Sequence, residues 1–358
     1  MNILLVTMEM NIGGAETHVL ELAKELKRRN HDVYVVSAGG NLVEELEESN
    51  ISHIYAPLKD KKISHIIKSI KTISKIIKEK KIDIVHAHAR IPGAICGYVC
   101  KKTKTHFVTS IHGVYRVNFL LRRLTNWGER SLAVSQDIRE NVIKEYKLDP
   151  KNISVTVNGI DTNKFKKSEK ENIEDVKIDL SKKVLMHISR IDKESSEVAE
   201  KLIEIADEMK NENIQFILVG GGNNLEELRK KAQNSSNVIL TGARTDVNKL
   251  LNYADIFVGV SRAALEAMAS EVPVILAGNS MYKQGYIGIF DENKLIEAID
   301  TNFTCRGLEP INKDTLKRDI EKLINIKNEK IGQYNREIVK KYYSVEKMAD
   351  DALNLYKF

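Results

Sequence analysis

Residues 1–37 read MNILLVTMEMNIGGAETHVLELAKELKRRNHDVYVVS, and their pattern decides the fold. Ile3 to Thr7 is a short apolar run, which reads as a strand covered on both faces, as in a parallel sheet. Gly13-Gly14 follows. Ala15, Val19, Leu22, Ala23 and Leu26 then recur at helical spacing. Lys27, Arg28 and Arg29 close that helix, where positive charge complements its dipole. His31 to Ser37 supplies a second strand. The stretch is one complete β-loop-α-β unit.

Outward from it, the alternation continues. Residues 61–80 give an Ile-rich amphipathic helix. Ile82 to His86 reads as a strand, residues 91–101 as a helix, and His106 to Ile111 as a further strand. Leu132 to Ser135 is a short strand before a helix over 136–146. The stretch KKSEKENIEDVKIDLSKK (166–183) is charged, lacks an apolar period and reads as an interdomain linker. Strands at Val184–Ile188, Gln215–Val219, Val238–Leu240, Ile256–Val258 and Val274–Leu276 then alternate with helical segments. Residues 314–358 read as entirely helical. Strand-helix alternation in both halves predicts a doubly wound α/β architecture. The expected domains are 1–166, joined by a returning helix near 341–358, and 167–340.

Composition narrows the function classes. A chain of 358 residues with 42% apolar and 30% charged residues has enough apolar material for two cores. The net charge of +6 and 6% aromatic content do not make a nucleic-acid binder. They suit a nucleotide diphosphate or a phospholipid surface. Cys96, Cys100 and Cys305 form no CxxC and read as buried free thiols, suited to a reducing cytoplasm. The first apolar run is too short and lacks a basic lead for a signal peptide, and no run is long enough to span a bilayer.

NIGGAET, between the first strand and its helix, can let a ligand approach the backbone and a helix N-terminus, or can be a structural turn. It is not a dinucleotide fingerprint. G-x-G-x-x-G is absent, and the second strand ends VSAGG with no acidic residue for a ribose. No GxSxG elbow or Walker loop appears. His86 and His88 lie two apart and share one side of a strand. They resemble a zinc pair without an evident third ligand, so a cleft lining or a core pair is the expectation and no metal is assigned.

GGAETHVLELAKELKRRNHDVYVVS (13–37) resembles the N-terminal signature of family 4 glycosyltransferases, which have the GT-B fold. DIVHAHARIPG (83–93), FVTSIHG (107–113), AVSQDIRENV (133–142), VTVNGIDTNKF (155–165), ISRIDK (188–193), FILVGGG (216–222), VILTG (238–242), ADIFVG (254–259) and ALEAMASEVPVI (264–275) agree in order. The resemblance covers about residues 1–280. The final YYSVEKMADDALNLY is similar to the helix that crosses back to the first domain in that family. Two Rossmann-like domains facing a central cleft are therefore implied, with the nucleotide mainly on the second and the acceptor mainly on the first.

The resemblance also implies roles. Glu266 would accept hydrogen bonds from both ribose hydroxyls, on a helix for which Ser261 can serve as N-cap. Arg190 and Lys193 would stabilise the departing diphosphate without a metal. The usual spacing between these cations is longer, and Ser195 stands at that offset. His112 would point at the transferred sugar. Gly13 and Gly14, the turn Gly220-Gly221-Gly222, and Gly242, Ala243 and Arg244 would line the donor through backbone groups. One feature departs from the family: a second Glu normally stands eight positions before Glu266, and Val258 occupies that place in a shortened loop. Backbone N–H groups around Gly259–Arg262 are the expected substitute.

His88, Tyr115 and Arg116 are expected on the acceptor side. Arg116 belongs with Tyr115, Phe119, Arg122, Arg123 and Trp127 to a basic and aromatic patch suited to a lipid-linked or polymeric acceptor. Residues 59–81 carry nine lysines beside a face formed by Ile63, Ile66, Ile67, Ile70, Ile73 and Ile77. They read as a packed helix with a solvated face or as a docking surface for anionic lipid. The expectation is a cytoplasmic, retaining, metal-independent transferase without a cofactor, using a nucleotide sugar and a carbohydrate or lipid-linked acceptor in cell-envelope polysaccharide synthesis. A GT-B sugar-nucleotide epimerase and a non-catalytic nucleotide-sugar-binding protein stay open beside it.

Overall fold

The run that opens the chain is strand β1 (Asn2–Val6), and Ile3 to Val6 have no exposed surface. Alternate side chains leave a strand on opposite faces. Ile3 and Leu5 accordingly join a core with the helices Gly14–Arg28 and Val345–Leu355, while Leu4 and Val6 join another with Ile63–Glu79 and Arg90–Thr103. The computed structural model describes residues 1–358 apart from Ile12, Arg116, Glu174 and the side chain of Leu120.

The other strands of this sheet are β2 (Asp32–Ser37), β3 (Ser52–Tyr55), β4 (Ile84–Ala87), β5 (His106–Ile111), β6 (Arg130–Ala133) and β7 (Ile153–Val155). All pair in parallel, in the order β3-β2-β1-β4-β5-β6-β7. A second sheet holds β8 (Lys183–Ile188), β9 (Ile214–Val219), β10 (Val238–Gly242), β11 (Ile256–Gly259), β12 (Val274–Ala277) and β13 (Tyr286–Ile289). Its order is β10-β9-β8-β11-β12-β13, and only β13 pairs antiparallel. The chain folds as two compact units, Met1–Gly159 with Tyr343–Phe358, and Ile160–Tyr342.

Several elements differ from the sequence reading. Strands β3, β7 and β13 are short; β3 and β7 end the first sheet and β13 ends the second, and half-exposed edges carry weak apolar patterns. Residues 314–358, read as helical, are helical apart from short breaks between three helices: Lys313–Ile324, Glu329–Tyr342 and Val345–Leu355. Ser344 begins the last, its Oγ accepting the Lys347 N–H at 3.2 Å. The charged stretch 166–183 is not a free tether. Ile173 and Val176 are buried, Ser168 N–H donates to Asn252 Oδ1 at 2.7 Å, and Tyr253 donates to the Glu171 carbonyl.

The apolar face of the helix Ile63–Glu79 is also narrower than expected. Ile73, Ile76 and Ile77 are buried, whereas Ile63 is 77% exposed and Ile67 48%. All three cysteines are free and buried, and burial pushes the thiols of Cys100 and Cys305 up to about 12, which leaves them unreactive. Among the described residues no helix is long and apolar enough to cross a membrane.

Candidate functional site

In the second sheet the chain runs from β8 outward through β9 and β10, then returns to place β11 on the other side of β8. Loops leaving β8 and β11 therefore diverge, and a crevice opens at the carboxyl ends of these strands. It holds a cavity of about 550 Å³, lined by Ser189, Arg190 and Ser195 after β8 and by Gly259, Ser261 and Arg262 after β11. Asn279, Tyr282 and Gln284, from the turn between β12 and β13, complete the wall. The described lining carries two arginines and no carboxylate.

Arg190 reaches this cavity with a largely exposed side chain, its Nε 3.9 Å from Asp192 Oδ2. Lys193 does not line it. Its side chain is exposed, and its N–H donates to Asn223 Oδ1 at 3.0 Å. Ser195, which lines the wall, donates to the Arg190 carbonyl at 2.7 Å and so braces the loop. Glu266 lies on the helix Ser261–Ala269, where Arg262 Nε donates to its Oε1 at 2.8 Å. The pair has the i, i+4 spacing of helix neighbours, and both side chains are largely buried.

Ser261 does not serve as the N-cap. That position belongs to Val260, and Ser261 is the first helical residue. Its φ of +58° is left-handed, a strained angle for a residue with a Cβ, and its N–H donates to the Phe303 carbonyl at 2.6 Å. That amide is thus not one of the groups turned toward a ligand.

The glycines around the crevice serve the backbone. A Cβ on Gly220 would fall 1.8 Å from the Ser189 carbonyl oxygen, and one on Gly222 2.2 Å from that of Ile191. Both have positive φ, so the loop after β9 can pass tightly against the loop after β8. Gly220 N–H donates to the Gly242 carbonyl at 2.9 Å, and the Gly221 carbonyl accepts from Ile191 N–H at 2.9 Å. A Cβ on Gly221 would meet that of Ala243 at 3.1 Å. Arg244 is clamped by Asp246 at 2.7 and 2.8 Å and by Asp175, which ties the 171–176 stretch to this turn.

His187 and Ser189 were not singled out in the sequence. His187 Nδ1 lies 2.8 Å from the Val258 carbonyl, which can only accept, so Nδ1 carries the proton. Its Nε2 then accepts from Ser189 Oγ at 2.8 Å. Burial lowers the imidazole to about 4.

In the first sheet the switch lies between β1 and β4. Gly13 is the N-cap of the helix Gly14–Arg28 in an ordinary extended conformation, and a Cβ on Gly14 would meet nothing within 4 Å. The histidines expected two apart do stack, with ring centroids 4.2 Å apart. His86 is held by Tyr356 Oη at 2.7 Å and Ser110 Oγ at 2.9 Å. His88 instead faces His112, Nδ1 to Nε2 at 3.2 Å. His18, unmarked in the sequence reading, joins them edge-on to His112 with centroids 4.7 Å apart. Burial holds His88 and His112 well below the usual histidine range.

Tyr115 is half-buried, with the Arg90 guanidinium 4.7 Å from its ring centre. Trp127 is not part of a surface patch: it is 5% exposed and packs edge-on to Tyr146. Phe119 is exposed and stacked by Arg123 at 4.9 Å. Arg116 lies outside the described residues.

With this geometry in view, comparisons with known proteins are direct. The model of Glycosyltransferase Family 4 matches residues 12–164, and that of Glycosyl transferases group 1 matches residues 182–301. An Escherichia coli UDP-Gal:alpha-D-GlcNAc-diphosphoundecaprenol alpha-1,3-galactosyltransferase is 25% identical, over 95% of this chain and 93% of its own. A glycosyltransferase from Rickettsia africae has the same fold, with a TM-score of 0.77, 23% identity and coverage of 99% and 98% of the two chains. So does Anabaena HepE, solved in complex with UDP, with a TM-score of 0.72, 17% identity and 99% of each chain covered. The chain belongs to the family 4 glycosyltransferases and has the GT-B fold, its first α/β unit matched by the family 4 model and its second by the group 1 glycosyl transferase model.

Proposed function

We propose that the chain transfers a sugar from a uridine diphosphate sugar to a carbohydrate or lipid-linked acceptor, with retention at the anomeric carbon. The observation that carries this is the cavity at the switch of the second sheet, where Arg190 and Arg262 face a space without a carboxylate. Such a wall suits a diphosphate. As the bond from the anomeric carbon to the diphosphate oxygen breaks and one to the acceptor oxygen forms, the acceptor hydroxyl's proton passes to the departing diphosphate and Arg190 stabilises the negative charge that develops there. Lys193, on the same loop with a long mobile stem, is the second cation. This division of labour asks for no metal at the diphosphate. Glu266 is not itself among the lining residues; it is bonded to Arg262 in the wall, and its carboxylate is the proposed acceptor for the ribose hydroxyls of a bound donor. His112 is the first unit's contact with the sugar, and Tyr115 and His88 stand on the acceptor side. The uridine is supported by the E. coli relative, whose name specifies UDP-Gal, and by the UDP held by HepE.

We place the enzyme in the cytoplasm, resting on the anionic inner face of the membrane. Exposed Ile63 and Ile67 stand among Lys61, Lys62, Lys68, Lys71 and Lys75, the pattern of a helix that lies on a bilayer.

Titration calorimetry with UDP, GDP and ADP tests the donor assignment. UDP should bind best, and Glu266→Ala should weaken it by about 10- to 100-fold, the value of a hydrogen bond to a charged group. If wild type binds none of the three, the cavity is not the donor site. If Glu266→Ala binds as well as wild type, the ribose role is wrong.

A further inference from the structure

Three histidines from three separate elements meet in the first unit. His18 comes from the opening turns of the helix after β1, His88 from the loop after β4, and His112 from the loop after β5. β1, β4 and β5 are adjacent in the sheet, so their carboxyl ends deliver these side chains to one place. Each ring offers one nitrogen such that all three atoms lie within 4.8 Å of one another. Among the described residues this is the one group of three or more such side chains placed to share an ion.

We propose that His18, His88 and His112 form a binding site for a single divalent cation of the zinc class. The distances fit the ion. Zinc–nitrogen bonds of about 2.0–2.1 Å at tetrahedral angles place two ligand nitrogens about 3.3–3.4 Å apart. His88 Nδ1 and His112 Nε2 are 3.2 Å apart. The third ligand needs to close by no more than about 1.4 Å from the 4.8 Å limit to complete such a triangle.

The surroundings fit as well. His18 Nδ1 is 3.0 Å from Asn158 Oδ1, an acceptor, so the proton lies on Nδ1 and the lone pair on Nε2. Metal-bound histidines are oriented in this way by an oxygen on the far nitrogen. His88 is 1% exposed, and its Nδ1 is the atom turned toward His112. His86 stacks on His88 but has both nitrogens held by hydroxyls, so it supports the site rather than joining it. His112 is half-buried, so solvent reaches part of its ring, and the fourth ligand would be a water.

Three imidazoles without a carboxylate select zinc, cobalt, nickel or copper over magnesium and calcium, which prefer oxygen. The consequence for turnover rests on the reading of His112 as the sugar contact: an ion that occupies its nitrogen removes that contact. Zinc then slows transfer while UDP binding, assigned to the second unit, is unchanged.

Cobalt reports the site without any assay of transfer. The full chain, stripped with a chelator, is titrated with Co²⁺ and read in the visible range. One ion per chain should bind with the strong d–d bands of tetrahedral coordination, and Zn²⁺ should displace it. His18→Gln and His112→Gln should each remove those bands, and Asn158→Ala should weaken binding by about 10- to 100-fold. Circular dichroism checks the fold of each variant. The half-buried His112 decides the matter if His18→Gln does not fold. A pale octahedral spectrum from wild type, or cobalt bound equally by folded His112→Gln, overturns the site. Zinc bound at this site without slowing transfer would leave the site standing and remove His112 from the sugar.

Discussion

Gly14→Ala separates what the fold needs from what a substrate needs. Gly14 opens the helix Gly14–Arg28 after the N-cap Gly13, and its φ is not among the positive ones. A Cβ there meets nothing within 4 Å, so the protein gives no steric reason for glycine. Alanine within a helix is better than glycine by about 0.5–1 kcal/mol, and the gain is smaller in a first turn. The first unit should therefore be stabilised by up to about 0.5 kcal/mol. With a urea slope of about 2 kcal/mol per molar, the midpoint rises by about 0.25 M. Trp127 is the chain's single tryptophan and lies in the core of the first unit, so its fluorescence follows this change. Transfer should move the other way. If bare backbone is there so that a substrate oxygen can lie against it, a methyl group in that space costs about 1–3 kcal/mol. The value of kcat/KM then falls by about 5- to 150-fold. Gly13→Ala is the comparison, because its Cβ meets only the movable Glu16 carboxylate, 2.4 Å away. A Gly14→Ala enzyme as active as wild type would remove this loop from the site.

The remaining tests address the second unit and the membrane. His187 titrates near 4 when folded and near 6.5 when unfolded, so the unfolded chain binds the extra proton as pH falls through that window; stability is full above 6.5 and declines toward 4 by on the order of 3 kcal/mol. Urea unfolding by circular dichroism at pH 7 and pH 5 should show a smaller acid loss in His187→Asn, and an equal loss would assign the effect elsewhere. Gly220→Ala, with its 1.8 Å contact to the Ser189 carbonyl, should cost about 3–5 kcal/mol through backbone strain and broken inter-loop hydrogen bonds, and an unchanged unfolding midpoint would contradict the crossing described. Ile67→Glu should weaken binding to phosphatidylglycerol vesicles, read by flotation, by about 10- to 150-fold, since burying one isoleucine is worth about 1.5–3 kcal/mol; equal flotation would exclude insertion of this face.

The strands that the sequence announces are those buried on both faces, because burial demands an unbroken apolar run. Ile3–Val6 and Ile214–Val219 are examples. β3 (Ser52–Tyr55) escaped because a half-exposed edge strand needs little apolar side chain. Glu266 and Arg190 were singled out from their motifs; of the two, Arg190 lines the cavity, and the engagement of Glu266 by Arg262 needed only the i, i+4 spacing and was overlooked. His18 is the instructive omission. It is distant in sequence from His88 and His112, but each follows the carboxyl end of a strand, and a doubly wound sheet brings such ends together. Reading histidines by their offset from strand ends would have joined them. Asn279, Tyr282 and Gln284 could not be found that way, because they depend on the antiparallel β13, which the apolar pattern did not mark.

The turn after β11 stands where the resemblance implies a longer loop with a second carboxylate. In place of a carboxylate, Val258 is fully buried in the sheet, and the chain turns directly from Gly259 into the helix Ser261–Ala269. That abrupt turn forces Ser261 into a left-handed conformation, and the Phe303 carbonyl holds it there by taking its N–H. Substitution of the missing carboxylate by a run of backbone amides, as expected from sequence, therefore loses one of its donors. What the turn does place at the cavity is the Arg262 side chain, at the positive end of its helix and bonded to Glu266. A guanidinium grips a carboxylate through a planar fork of donors, so Arg262 sets the geometry of Glu266 from a position in the cavity wall. On this reasoning the ribose contact and the charge on the leaving group are coupled through one residue. Arg262→Lys, which keeps the charge and loses the fork, should then weaken UDP binding and slow transfer together; an effect on only one of them would separate the two roles.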